Sequence, residues 1–425
     1  MKAPRTIPPP IRDAQARASD PAASAFVSAN AGSGKTHVLA QRGLSRVGVL
    51  APDEGGLPAF SLANQPASLV RAALSGTRGP LVSRWGHILL RRALASRLAA
   101  PAGMDPAEFA ALRASLLNRM GEFAAARALV QDVDTANYSP ALTDAALAAY
   151  VGTADLLGAC PAVRLLRSAR EDTEWRMTAA ICSAYAGEAT NADTDLRRIL
   201  NTGKAERIDA LLAQRYAGAA GDGRRSVTIE WDGVDKLTPW RFALANAVGA
   251  DIPERLTSGF GTYYALASAT SPMLAPEQRV SAAELAARRG VLSAQAMVDL
   301  YSQLGDDLAD GALSDTVQNL RSAYVGTDAG TRLAAIKAIW GSGEGDPYGR
   351  WVLTASAAAR LDPSKDFASD AAPLIGSMLA AGYNRDAARW ASVAPIGSEA
   401  WALLLLARPQ GGQATGGQFD DFMGD

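Results

Sequence analysis

From about residue 60 to residue 409 the apolar positions recur at three- and four-residue intervals, the spacing of one face of an α-helix. Phe109 to Met120 and Glu122 to Val133 show the pattern, with leucine, valine and alanine at the repeated positions. Start signals precede several such runs. Asp105-Pro106-Ala107-Glu108 offers an aspartate cap, a proline at the first helical position and a glutamate three residues after the cap. Ser139-Pro140 and Thr238-Pro239 repeat the cap-then-proline arrangement. Ser281-Ala282-Ala283-Glu284 reads as a capping box, opening a helix that stops at Arg288-Arg289-Gly290. Helices of about 10–15 residues joined by short loops predict antiparallel hairpins.

Breaks in this pattern set the expected boundaries. Ala51 to Gly56 is turn-rich and lies in a linker over 46–62. A helical repeat region follows over 63–225. The loop Gly218 to Arg225 leads into Ser226 to Trp231, the one β-prone stretch of the body, read as a short strand opening a second helical region over 226–345. Gly341 to Gly349 is a glycine-rich break before C-terminal helical hairpins over 346–409. The tail 410–425 is Gly/Gln-rich, ends Phe419-Asp420-Asp421-Phe422-Met423, and reads as solvated and disordered. An acidic-aromatic end of that kind also suits a partner's groove. The expected fold class is mainly α: an α-solenoid or an irregular array of helical hairpins, behind an N-terminal fragment at 1–45 of different character.

One short pattern recurs within the helical body. A glycine is followed five residues later by alanine at Gly121 and Ala126, Gly187 and Ala192, and Gly382 and Ala387. In each case a helix is predicted to end near the glycine and the next to begin soon after. This resembles the tight turn and close helix contact of tetratricopeptide repeats, in which small residues let helices approach. Gly121 and Gly187 lie near two family periods of about 34 residues apart. Gly158 lies between them unevenly, with Val163 at its fifth position, and the full Trp-Leu-Gly-Tyr-Ala-Phe-Pro pattern is absent. Such a body implies a surface for a protein or peptide ligand.

Composition narrows the classes. In 425 residues, 48% hydrophobic and 20% charged, disorder of the whole chain is excluded. A net charge of −1 lacks the basic excess of a dedicated nucleic-acid binder. Cys160 and Cys182 are the only cysteines; no disulfide framework is expected, and both read as core residues of helices. With His37 and His87 they do not form a zinc pattern. No apolar run is long enough to span a membrane. The start, Met1 to Pro10, has three consecutive prolines and no apolar stretch of signal type, so a cytoplasmic location is expected.

The N-terminal fragment carries the clearest chemistry. Ala25 to Ser28 is a short apolar run that suits a buried strand, and Ala29-Asn30-Ala31-Gly32-Ser33-Gly34-Lys35-Thr36 fits a phosphate-binding loop with alanine at the first glycine. Gly32 and Gly34 let backbone N–H groups turn inward on phosphate oxygens. Lys35 is placed for the β- and γ-phosphates and Thr36 for Mg²⁺. With Asp13 to Pro21 before it and His37 to Arg42 after it, this stretch resembles the opening of the AddA-type repair helicases, superfamily 1 proteins of the UvrD group. The resemblance implies ATP and Mg²⁺ as cofactors, DNA as a partner, Gln15 as an adenine contact, and Ala31, Gly32, Ser33, Gly34, Lys35 and Thr36 as the phosphate cradle. It covers only about 30 residues. Past Arg42 the family pattern stops. Asp53-Glu54 after Val47 to Leu50 looks superficially like a Walker B pair, but Pro52, Gly55 and Gly56 suit a loop better. No arginine sensor or nuclease motif follows. Two readings stand: a nucleotide-binding remnant of a helicase without autonomous unwinding activity, or a non-catalytic helical scaffold with a vestigial loop.

The remaining candidates have bland readings. Arg84, Arg91, Arg92 and Arg97, with Trp85 and His87, form a basic stretch that suits an ion-paired helix face better than a nucleic-acid contact. Asp306, Asp307, Asp310 and Asp315 lack calcium-loop spacing. Trp175, Trp340, Trp351, Trp390 and Trp401 are expected to pack between helices.

Overall fold

The structure, a computed structural model, describes residues 48–166, 170–220, 227–259, 261–304, 308, 311–342, 345–408 and 412–424. The phosphate-loop residues Gln15 and Ala31 to Thr36 lie outside the described residues, as do Asp306, Asp307 and Asp310. The described residues are mainly helical: they form 21 α-helices and no named strand. Val227 to Trp231, read from sequence as a strand, joins no ladder among the described residues; Leu50 and Ser96 form an isolated parallel bridge. The chain divides into two compact units, up to Ala267 and from Ser268 onward.

Among the described residues of the first unit, the α-helices begin with α1 (Ala67–Gly76) and α2 (Arg84–Ala95), followed by α3 (Pro106–Arg119), α4 (Phe123–Gln131), α5 (Pro140–Gly152) and α6 (Cys160–Leu165). Then come α7 (Thr173–Tyr185), α8 (Ala189–Asn201), α9 (Arg207–Gly218), α10 (Pro239–Ala247), α11 (Glu254–Thr257) and α12 (Thr262–Thr270), within which the division falls. The caps at Asp105, Ser139 and Thr238 accept backbone N–H bonds from Ala107 and Glu108, Leu142, and Arg241 as their sequences predict. Helix α3 is buried almost all round, through Phe109, Ala110, Ala114, Leu116 and Leu117, so it serves as a central helix. It packs on α4 and α5, and α4 packs on α5. The same triangle recurs one hairpin pair later, where α7 packs on α8 and α9, and α8 on α9.

The turns show how these hairpins close. After α3, α7 and a later helix, the glycines Gly121, Gly187 and Gly382 take φ of 79°, 89° and 82°. The residue after each glycine donates its N–H five residues back: Glu122 to Leu117, Glu188 to Ser183 and Tyr383 to Met378. This is the Schellman closure, in which a left-handed residue satisfies carbonyls at the helix end. The alanines five positions on, Ala126, Ala192 and Ala387, are buried, as close helix approach requires. Gly158 does not form a turn of this kind, but Ala154 does (φ 55°), with Asp155 donating back to Tyr150 and Ala159 buried five positions on. Ala154 lies 33 residues after Gly121 and 33 before Gly187.

An acidic residue follows the turns at Gly121, Ala154 and Gly187, and each pairs with an arginine one hairpin earlier. Glu122 binds Arg91 (3.4 Å), Asp155 binds Arg127, and Glu188 binds Arg164 (3.4 Å). Glu122 also meets His87 Nε2 at 2.8 Å, both buried. This accounts for much of the basic stretch read in α2. Arg84 and His87 are buried, Arg91 faces Glu122, and Arg97 donates to the Gly48 carbonyl at 3.1 Å. These side chains serve internal contacts.

The cysteines correct the sequence expectation. Cys160 and Cys182 form a disulfide with a Cα–Cα distance of 5.4 Å, joining the start of α6 to α7. They do lie in helices, as expected, but the packing of α6 against α7 brings residues 22 apart in sequence to bonding distance.

The second unit contains α13 (Pro276–Arg289), α14 (Ala294–Ser302), α15 (Ala312–Val325), α16 (Ala329–Trp340), α17 (Tyr348–Ala358), α18 (Ala371–Ala380), α19 (Asn384–Ala388), α20 (Glu399–Leu406) and α21 (Gly416–Met423). Helix α17 touches α13, α14, α16 and α18 and is the hub. Gly349 allows this, since a Cβ there would lie 2.6 Å from the Glu284 carbonyl oxygen. Buried Arg350 on α17 pairs with Glu284 on α13 at 3.0 Å and donates to the Trp340 carbonyl at 3.1 Å. Ser281 is not a cap. Pro276 starts α13 five residues earlier, the Gln278 side chain reaches back to the Ala275 N–H at 3.3 Å, and Ser281 donates to the Gln278 carbonyl. The stop at Gly290 is as predicted, with φ 92°. The tail, read as disordered, carries α21, whose cap Thr415 and third helical residue Gln418 bond each other's backbone.

Candidate functional site

Helix α8 is an outer helix. Its sequence Ala-Thr-Asn-Ala-Asp-Thr-Asp-Leu-Arg-Arg-Ile-Leu-Asn is polar except on one side, and Ala192 and Leu196 are its buried residues. It therefore leans on α7 through a narrow apolar seam. Next to that seam the two helices part and leave a cleft of about 540 Å³. From α7 come Thr173, Trp175, Arg176, Ala179, Ala180 and Ser183, and from α8 Asp195, Arg198, Ile199 and Thr202; Lys204 closes one end. The three- and four-residue spacings place each set on one helix face.

The floor is apolar and fixed. Trp175 is 2% exposed, Ala180 is buried, and Ile199 is half-buried. Trp175 follows the cap Asp172, which accepts its backbone N–H at 2.9 Å. The Arg170 guanidinium lies 5.9 Å from its ring centroid. Its indole Nε1–H is buried and has no hydrogen-bond partner. By contrast Trp240, equally buried, donates its Nε1–H to Thr178 at 3.2 Å.

The rim is polar and predominantly cationic. Arg176, Arg198 and Lys204 are exposed, and Asp195 is the one acid of the lining, paired with Arg198. Thr173 donates to the Lys204 carbonyl at 3.3 Å and ties the end of the cleft. Below the cleft, Arg241 is 2% exposed and held by Asp209 at 2.7 Å and Glu206 at 3.3 Å, which fixes α10 on α9. Glu174 is raised above the ordinary carboxylate value, by burial first and then by Asp172 and Asp209.

Among the described residues no three His, Cys, Asp or Glu side chains gather to hold a metal. Asp53 and Glu54 lie in an exposed single turn, Pro52–Glu54, where Glu54 accepts the Ala51 N–H at 2.8 Å. Asp315 sits in the first turn of α15. Trp390 is buried, and Trp340 and Trp351 meet edge to face at 6.3 Å, as helix packing predicts. No helix among the described residues is long and apolar enough to cross a membrane.

The cleft was not expected from sequence. Its two walls come from different helices, and no local motif marks it. A cue was present in the helical-face spacing Thr173, Arg176, Ala180 and Ser183, which mixes cationic, hydroxyl and small residues on the side of α7 that carries Trp175. No family model, curated protein or solved structure matches this chain.

Proposed function

We propose that the chain is a non-catalytic helical-repeat scaffold, and that the α7–α8 cleft binds an acidic peptide segment bearing an apolar side chain. The carrying observation is the pairing of a floor of buried Trp175 and half-buried Ile199 with the rim of Arg176, Arg198 and Lys204. A cleft of this volume lies in the range of ligand sites, about 300–1,000 Å³. Its charge selects acidic partners and rejects basic ones. Equivalent turns at Gly121, Ala154 and Gly187 support a tetratricopeptide-like repeat of 33 residues in this unit. The Cys160–Cys182 bond favours an oxidising compartment over the cytoplasm expected from sequence.

The test uses fluorescein-labelled 12-residue peptides containing Asp and Phe, with Lys-for-Asp versions as controls. Acidic peptides are expected to bind, more weakly as salt rises. The double variant Arg176→Glu/Lys204→Glu should lose at least tenfold in affinity. Equal binding of acidic and basic peptides, or no change in the variant, would end the proposal.

The sequence Ala29 to Thr36 carries a second reading, a nucleotide-binding helicase remnant using Gln15, Lys35 and Thr36 with ATP and Mg²⁺. A phosphate loop needs parallel strands beside it and a carboxylate for the metal. The described residues supply no parallel sheet. ATP titration with Mg²⁺ decides: binding by the wild type that Lys35→Ala abolishes would revive this reading.

A further inference from the structure

Helix α21 is well capped yet buries nothing. Phe419 and Met423 are 56% and 66% exposed, and Phe422 is half-buried. Positions 419, 422 and 423 share one helix face. Asp421 lies on the opposite side, against Gly397, where an added Cβ would stand 2.9 Å from the Asp421 Cβ. The helix is therefore held by its polar back, and its aromatic edge faces outward. Asp420 flanks that edge and is exposed, and the segment 412–424 contains no lysine or arginine. A short capped helix with apolar anchors at i, i+3 and i+4 is the form taken by segments that dock in grooves.

The α7–α8 cleft has the complementary properties: an apolar floor and an excess of cations at the rim. We propose that α21 of one copy docks in the α7–α8 cleft of a second copy. Phe419 and Met423 meet Trp175 and Ile199, and Asp420 meets Arg176 or Lys204. The inference rests on the peptide-binding reading of the cleft and names its occupant. Such a contact joins two different surfaces, so it grows head to tail: each pair still offers a free cleft on one copy and a free helix on the other.

Sedimentation velocity on the full chain over a wide concentration range tests it. Wild type is expected to associate beyond a dimer as concentration rises. The tail variant Phe419→Ala/Met423→Ala changes exposed residues and leaves the fold intact; it should remain monomeric. The cleft variant Arg176→Glu/Lys204→Glu should also remain monomeric. Mixed together, the two variants should form dimers and nothing larger, because the mixture contains one sound helix and one sound cleft per pair. A wild type that is monomeric at every concentration overturns the inference, as does association that persists in both variants. If labelled acidic peptides still bind the cleft in that case, the scaffold reading stands and only its occupant is wrong.

Discussion

At the scale of single residues the turn glycines separate two effects. A Cβ on Gly187 would meet nothing within 4 Å, whereas one on Gly121 would lie 2.3 Å from Leu266 Cδ1. Both residues are left-handed. Gly187→Ala should therefore cost only the conformational strain, about 1–2 kcal/mol. Gly121→Ala should cost more, because Leu266 must also move. Urea unfolding of the two variants checks the order; equal losses would mean that Leu266 yields freely. The Ala154 turn shows that the fold tolerates this strain once. It also explains why the recurring turn is only partly visible in the sequence. Glycine betrays a left-handed residue, whereas an alanine in the same conformation leaves no trace in composition.

At the scale of elements, the helix starts with a side-chain oxygen and a following proline were legible, at Asp105, Ser139 and Thr238. Ser281 misled because a serine with glutamate three residues on also occurs inside helices. There its hydroxyl bonds back to a carbonyl of its own turn. The C-terminal ends were less legible, because distant arginines complete them. Arg113 on α3, fully buried, donates to the Leu94 and Ser96 carbonyls at the end of α2, at 2.8 and 2.5 Å. Burial lowers it to about 9, still protonated at neutral pH. Arg119 closes α1 through the Leu74 and Thr77 carbonyls in the same way. Long-range caps of this type have no sequence spacing. The cleft escaped for the same reason, since its floor and rim meet only when α8 lies on α7.

One cap also gives a pH dependence. Burial pushes the Asp172 carboxyl up. Hydrogen bonds from Arg170 and the Trp175 N–H, with the Arg170 charge, outweigh this and hold it below its ordinary value of 3.8. The folded state thus binds the proton less tightly than the unfolded chain. The resulting stability is complete above the ordinary value and is lost as pH falls through the lower folded one. In acid titration monitored by near-ultraviolet circular dichroism, Asp172→Asn should flatten the loss of stability below about pH 4 relative to wild type. An unchanged acid limb would remove Asp172 from the account.

At the scale of the whole molecule, the disulfide belongs to the first unit alone. The bond closes a 22-residue separation and should contribute about 3 kcal/mol. Hydrogen exchange before and after reduction should show faster opening around α6 and α7. Exchange in α17 and α18 should be unchanged. Faster exchange throughout would mean that the two units open together. Free-thiol titration should find none before reduction and two after it.

The same bond has a mechanical consequence. Pulled from its two ends, the chain pays out length as its helices unravel, but the stretch between Cys160 and Cys182 is short-circuited through sulfur. At about 3.3–3.6 Å per extended residue, less the span the bond itself bridges, about 7 nm of slack stays hidden until a reductant cuts the loop. The junction between the α6 and α7 hairpins is thus a fixed link in a chain whose other links can stretch.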